Sequence, residues 1–258
     1  CWKKTACVRN RRRSRMKTVD FNTLGFHNGD TVLDLGCGEG RHVISFYVEA
    51  NVHAIGVDLG FPDLQKTAEK FKPFHEPDNK KKQLHLACSN ALQLPFPNES
   101  FDKVICSEVL EHIPDYRGAL LEIARILKPG GVAAISVPRY VPEWICWALS
   151  DEYHSNEGGH IRIFKEHQLQ RDIENTGLCF IRRHWAHALH SIYWWLQCAF
   201  WNTKDSNPLV QTWHKLLVWD MMEQPLFTTT LEKILNPLMG KSVVMYFYKP
   251  SENTGQQA

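Results

Sequence analysis

A short apolar run, VLDL at Val32 to Leu35, leads directly into Gly36, Gly38 and Gly40 and then into RHVISFYVEA (Arg41 to Ala50), where apolar residues recur at helical spacing. A strand that enters a helix through alternate glycines brings bare backbone and a helix N-terminus up to a ligand, where side chains would block the approach. From there the chain alternates short apolar runs with helical periods, which is the pattern of βαβ units in a parallel sheet. Strands are predicted at Val52 to Asp58, Gln83 to Cys88, Phe101 to Ser107 and GVAAISV, ending at Val137. Helices are predicted over Pro62 to Phe71 and Tyr116 to Leu127, and the Pro129, Gly130, Gly131 turn is read as stopping the second of these.

After Val137 the rhythm changes, and eight of the nine tryptophans lie beyond Pro138, so the second half has a different task from the first. A helix over Lys165 to Thr176, a strand at Leu178 to Trp185 and a last strand at Ser242 to Tyr248 frame about fifty bulky, helical-looking residues. We read this half as completing the sheet and adding an aromatic-rich, mainly helical cap. The expected organisation is a basic tail (1–17), one α/β domain (18–250) with a cofactor half (31–137) and an acceptor or cap half (138–250), and a C-terminal tail (251–258).

Net charge is +2, yet seven basic residues and no acid fall in the first fifteen; without them 23 basic residues face 28 acidic ones, a balance of −5. The body therefore does not read as a nucleic-acid binder, while the tail is read as a disordered, solvated extension, with contact to phosphate or weakly to an anionic membrane surface as the alternative. Met16 is a candidate natural initiator. No apolar stretch reaches the roughly 18 to 20 residues of a membrane helix, so a cytoplasmic protein is expected. Lys80 to Lys82 read as a solvated connector, and Cys37, Cys88, Cys106, Cys146, Cys179 and Cys198, none in a CxxC pair, as free thiols.

Three ligands compete for the glycine loop. A triphosphate loop needs GxxxxGK[ST], but the GKS at Gly240 to Ser242 has Leu235 where the first glycine belongs. The dinucleotide fingerprint GxGxxG needs glycine at position 41, which is Arg41. Asp58, ending the second strand, is placed to accept from both hydroxyls of a ribose, with Leu59 against the base; dinucleotide folds use the same device, so this acid does not separate the two cofactor families.

The order VLDLGCGEG, GVDLG, NALQLPFPNESFDKVICSEVLEHIPD and LKPGG, over about Thr31 to Val137, resembles the class I S-adenosylmethionine-dependent methyltransferases, especially the small-molecule group with the ubiquinone-biosynthesis O-methyltransferases. The resemblance implies an α/β, Rossmann-like, doubly wound seven-stranded sheet with its last strand antiparallel, and S-adenosylmethionine as cofactor. By it Asp34 orients the loop of Gly36, Cys37, Gly38 and Gly40 and helps receive the cofactor's cationic end, Asn90 and Ala91 approach adenine, and Ser107 and Glu108 line the cofactor beyond the fourth strand. Asn90 stands where the family usually has aspartate; its amide oxygen still accepts a bond, without charge.

Methyl transfer is an in-line displacement that asks the protein for alignment and, for a hydroxyl acceptor, a base. His112 is read as that base or as a capping and packing residue. Glu108, Glu111 and His112 also match an ExxEH triplet with which some ubiquinone O-methyltransferases hold a divalent metal, but the same letters occur in methyltransferases that need none, and no metal is expected. His160, in GGHIRIF, is read as lying on a mobile segment over the pocket near Tyr153 and His154, as a base, as an acceptor-positioning residue or as surface packing. His184, His187 and His190 are expected near one helical face, without a carboxylate spaced to complete a metal box.

The run Ile192 to Trp201, too short to span a bilayer, is expected as a buried cap helix, with membrane contact as the alternative; either way its aromatics are placed to wall an apolar pocket. SEVL at Ser107 to Leu110 is not the [ND]PPY of amino methylation. The leading expectation is methyl transfer to oxygen, less readily to carbon, of an apolar small molecule. The alternatives are an RNA- or protein-modifying enzyme recruited by the tail and a non-catalytic cofactor-binding partner. The oligomeric state is left open.

Overall fold

The computed structural model describes residues 17–79, 81–155, 158–223 and 225–251. Of the expected tails, all but Lys17 and Ser251 lie outside these residues. Five strands run in parallel: β1 (Thr31–Leu35), β2 (His53–Asp58), β3 (Gln83–Cys88), β4 (Phe101–Ser107) and β5 (Leu127–Pro138). β6 (Cys179–Ala186) and β7 (Ser242–Tyr248) complete a seven-stranded sheet of order β3-β2-β1-β4-β5-β7-β6, with β7 antiparallel to both its neighbours.

Alternate residues of each strand enter different cores, as the pleat requires. Leu33, Leu35, Val104 and Cys106 face one side, where α4 (Tyr116–Ile126) and α7 (Glu166–Glu174) supply Leu120, Ile123, Leu169 and Ile173. Val32, Ala54, Ile105 and Tyr246 face the other, covered by α1 (Phe21–Leu24), α2 (Arg41–Glu49) and α3 (Phe61–Phe71). The sheet is thus wound on both faces, and the long connections leave their loops at the C-terminal ends of β1 to β4.

The cap is built from α5 (Tyr140–Leu149), α6 (Asp151–Ser155), α8 (Ala188–Ala199), α9 (Pro208–Glu223) and α10 (Leu226–Met239). α8 is its hub: Trp195 donates to Pro142 O of α5 at 3.0 Å, Trp213 of α9 donates to Leu189 O at 2.9 Å, and Ser191 donates to Met239 O of α10 at 2.7 Å.

Several sequence expectations change. The residues around Pro129 to Gly131 do not precede a strand; they form an irregularity inside β5, where the pairing with β4 shifts between Phe101 and Lys103 and Gly130 takes φ +77°. The aromatic stretch after Pro138 folds into α5 and α6. Of the expected solvated connector, Lys81 is exposed and Lys80 lies outside the described residues, whereas Lys82 is buried beside Tyr47 and paired with Glu76 at 3.0 Å. Lys17, assigned to the tail, pairs with Glu49 and lies over the Phe21 ring at 3.9 Å. The six described cysteines are free; Cys37, Cys106, Cys146 and Cys198 are buried, while Cys88 is exposed.

Candidate functional site

The glycine loop leaves β1 under backbone control. Gly36 N and Cys37 N both donate to Val57 O, at 2.7 and 3.0 Å, and Gly40 N donates to Cys37 O at 2.9 Å. Gly36, Gly38 and Gly40 adopt φ of +71°, +48° and +86°, where a side chain costs about 1–2 kcal/mol. α3 holds the loop from outside: Thr67 Oγ1 donates to Gly38 O at 2.7 Å, and Lys66 and Lys70 both pair with Glu39.

Two carboxylates brace this loop. Asp34 is fully buried beneath it and accepts from Val43 N at 2.9 Å, tying the strand end to the first turn of α2. Burial pushes its carboxyl up to about 7, against the hydrogen bond from Val43 and the charge of Arg41. Asp58 accepts from Gly38 N at 2.7 Å through one oxygen and from Gly60 N at 2.8 Å through the other. Each oxygen keeps a second acceptor site, as a ribose diol requires. Beside it Leu59 is 72% exposed, and a Cβ on Gly38 would meet nothing within 4 Å. Fixed acceptors, bare backbone and an exposed apolar side chain side by side suit a nucleoside with a cationic amino-acid arm, so these residues fit S-adenosylmethionine.

Asn90 and Ala91 follow β3 on the same edge of the sheet. Asn90 Oδ1 accepts from Leu92 N at 3.0 Å, which fixes its amide and leaves that oxygen one free lone pair. Ser107 is buried and bonded to Ser136 at 2.8 Å, and Ser136 in turn donates to Glu108 at 2.9 Å. Ser107 therefore gives its hydroxyl to the sheet, and Glu108, at φ +58°, turns out of the strand end. A non-glycine residue held in that conformation costs about 1–3 kcal/mol and is characteristic of functional sites.

Glu108 and Arg41 border a cavity of about 230 Å³ closed on the far side by His187, His190, Trp194, Asp220, Glu232 and Lys241. Three carboxylates and two cations give this lining a charge of −1 before the histidines are counted. Of the Ile192 to Trp201 run Trp194 reaches it, so this wall sets apolar surface beside charged groups. A neighbouring cavity of about 270 Å³ shares the Trp194 and Lys241 wall and is lined further by Tyr153, His160 and Trp201.

His112 and His160 come together with ring centroids 5.1 Å apart. Between them lies Glu111, fully buried, with neither carboxylate oxygen hydrogen-bonded. Burial first, and then the charge of Glu108, raise its carboxyl well above the usual range. His160 is anchored: its Nδ1 lies 2.5 Å from Glu143, and its Nε2 4.0 Å from Glu111. Glu143, on α5, also accepts from Trp147 and Tyr153 at 3.1 and 3.3 Å. Despite its burial, His160, Lys241 and Trp147 hold its carboxyl below the usual range. His112 Nδ1 faces Gly159 O at 3.3 Å, and burial lowers its pKa. Of the neighbours expected for His160, Tyr153 is in ring contact at 5.9 Å, whereas His154 stacks on Trp147.

Sequence reasoning missed Glu143, which arrives from a helix it had not assigned. Glu143→Ala strands three donors and is expected to lower folding stability by about 2–4 kcal/mol in chemical denaturation, with Glu143→Gln costing less because its oxygen still accepts.

The other three histidines do not share a helical face. His184 is on β6, His187 precedes α8 in a left-handed conformation, and His190 is in the first turn. His184 and His187 both clamp Thr18, at 3.1 and 3.2 Å. The carboxylate missing near them in sequence comes from Glu232, so that His187, His190 and Glu232 each offer a ligand atom within 4.8 Å of the others. Burial lowers His187 to about 3 and His190 to about 4. Glu111, His112 and His160 form a second such group.

Comparison with known proteins agrees with this geometry. A family described as a methyltransferase domain matches residues 8–182. Sterol 24-C-methyltransferase erg6 of Aspergillus fumigatus is 34% identical over 143 residues, covering 54% of this chain and 34% of that protein. The 27-O-demethylrifamycin SV methyltransferase of Amycolatopsis mediterranei is 29% identical over 119 residues, covering 46% of this chain and 42% of its own length. The chain thus spans between a third and a half of the length of these curated relatives. Among solved structures, a SAM-dependent methyltransferase of Methanosarcina mazei aligns over 92% of this chain and all of its own, with TM-score 0.61 and 14% identity. Phosphoethanolamine N-methyltransferase 2 of Haemonchus contortus, crystallised with S-adenosyl-L-methionine, aligns over 90% of this chain and 51% of its own, with TM-score 0.56 and 19% identity. On its sequence match, its sheet and its glycine loop, this chain belongs to the class I S-adenosylmethionine-dependent methyltransferases.

Proposed function

We propose that the chain transfers a methyl group to oxygen, less readily to carbon, of a small molecule with both polar and apolar parts, held between the glycine loop and the cap. The observation that carries this reading is the cavity bounded by Arg41 and Glu108 on one side and by the cap residues His187, His190 and Trp194 on the other. S-adenosylmethionine supplies an electrophilic methyl group, so the protein's work is alignment and proton removal. Arg41 and Lys241 offer donors to an anionic or carbonyl part of the acceptor, and Trp194 an apolar wall. His160, which is backed by Glu143 and lines the neighbouring cavity across the shared Trp194 and Lys241 wall, is the proton acceptor: the carboxylate fixes its tautomer and leaves Nε2 as the basic nitrogen. The relatives include enzymes named for carbon and for oxygen methylation, which is why carbon stays as the lesser alternative.

A second reading is favoured by one observation, the buried carboxylate of Glu111 with both oxygens unpartnered. With His112 and His160 it makes a two-histidine, one-carboxylate set whose imidazoles are already oriented through their other nitrogens, as metal ligands usually are. A divalent ion there would orient an acceptor oxygen.

One experiment addresses both readings. The chain is incubated with methyl-labelled cofactor and a cell extract, with and without a chelator, and label is followed into lipid, polar metabolite, RNA and protein. Label in a small molecule supports the proposal, and loss of that label with His160→Ala assigns the base. Label in RNA or protein, or none in any fraction, overturns it. Chelator sensitivity restored by added divalent metal selects the second reading.

A further inference from the structure

The inner side of the hairpin formed by α9 and α10 lines the acceptor cavity with Asp220, Met221, Thr229 and Glu232. Its outer side is mainly apolar, with Thr230 and Lys233 exposed among the apolar residues. Leu226, Ile234 and Leu238 stand four or eight residues apart on one ridge of α10, exposed by 84, 62 and 71%, and Phe227 lies next to them at 72%. Across the connection Trp219 and Met222 of α9 are also exposed. Thr228 is the buried residue of this helix. A surface helix normally turns its apolar stripe inward; here Asp220, Thr229 and Glu232 face the cavity beside Met221, and the stripe faces out. The hairpin is not loose, because Thr228 bonds to Asp220 and to Pro225 O, and Thr229 bonds to Pro225 O at 2.8 Å. A rigid, exposed apolar ridge of this extent marks a contact surface.

We propose that this ridge lies on a lipid surface carrying anionic headgroups, placing the acceptor cavity just above the bilayer. Charge supports this occupant. The chain's first fifteen residues hold Lys3, Lys4, Arg9, Arg11, Arg12, Arg13 and Arg15 and no acid. They join the fold at Lys17, which lines one groove together with Glu232 and Asn236 of α10. Sixteen residues have an extended reach of about 50 Å, several times the roughly 10–12 Å thickness of a helix, so these charges can meet the surface on which the ridge rests. Each basic residue near an anionic leaflet adds to the attraction, which salt screens. The ridge, about 21 Å long for fourteen residues, suits burial along the interface plane. Among the described residues no helix is long and apolar enough to cross a membrane. The aromatic run Ile192 to Trp201 is not this surface, being half-buried against α5, α9 and α10.

The test is flotation of the full chain with vesicles of phosphatidylcholine alone and of phosphatidylcholine mixed with phosphatidylglycerol. Binding to the mixed vesicles that weakens with salt is expected. Leu226→Glu combined with Ile234→Glu should reduce it by about tenfold or more, while cofactor affinity and melting temperature, which exposed sites do not govern, stay unchanged. Replacing Arg11, Arg12, Arg13 and Arg15 by Gln should shift the binding toward that of neutral vesicles. Failure to float with either vesicle overturns the proposal. So does sedimentation showing a dimer that the Leu226→Glu and Ile234→Glu variant dissociates, because the ridge would then be covered by a second copy.

Discussion

Gly38→Val is expected to abolish cofactor binding while leaving the chain folded. A Cβ at position 38 meets no atom within 4 Å, so the fold has room for it. The added cost to the fold is that of a branched residue at φ +48°, about 1–2 kcal/mol. The space that accepts the side chain is the space over the loop that the ligand needs. Gly38 is also fixed on both sides, by Asp58 at its N–H and Thr67 at its carbonyl, so the loop cannot retreat. Calorimetry should give a loss of affinity of at least about 100-fold, roughly 2.7 kcal/mol, with a melting temperature only slightly lowered. Unchanged affinity would remove the glycine loop from the cofactor site.

Asp34→Asn is expected to stabilise the ligand-free chain and to weaken cofactor binding together. The carboxyl of Asp34 is pushed up to about 7 by burial. Below the ordinary aspartate value of 3.8 the group is protonated in both folded and unfolded chains and has no effect. Between that pH and about 7 the unfolded chain releases a proton that the folded chain keeps, so stability falls as pH rises, and above 7 the cost is constant. An amide carries no such slope and still accepts from Val43. Denaturation should therefore show the variant gaining on the wild type between pH 4 and 7, by on the order of 2–4 kcal/mol at neutral pH. The sign of binding is opposite, because a cationic ligand end favours the charged carboxylate. Wild-type affinity should rise with pH through neutrality and release a proton on binding, and the variant should lose both effects. A variant with the wild type's pH dependence would show that Asp34 does not meet the ligand's charge.

The cofactor half was legible because its determinants are local. Strand, glycine loop and helix are contiguous from Val32 to Glu49, and Asp58 needs only one βαβ step to reach Gly38. Period and punctuation carry such information. The acceptor half was less legible because its neighbours are brought together by packing. Glu143 meets His160 from a helix whose tryptophans and proline masked its period, and Glu232 meets His187 and His190 from 42 or more residues away. Carboxylate spacing along the chain held no trace of either. Which aromatics of the Ile192 to Trp201 run wall a cavity was illegible for a related reason: Trp195 is spent on a helix contact to Pro142, while Trp194 reaches both cavities and Trp201 the second.

The position of β7 has a consequence for how the chain is made. Residues 31–138 contain every strand from β1 to β5, and the five pair with one another in parallel. β6 touches this half-sheet only through β7, which lies between β5 and β6 although it is the last strand in sequence. On a ribosome, the half that grips the cofactor can assemble while the cap is still being synthesised, and the cap loses its anchor if synthesis stops before Ser242. Assembly is therefore ordered: the donor's seat comes first, and the acceptor's chamber closes only when the final strand slides into the gap left for it.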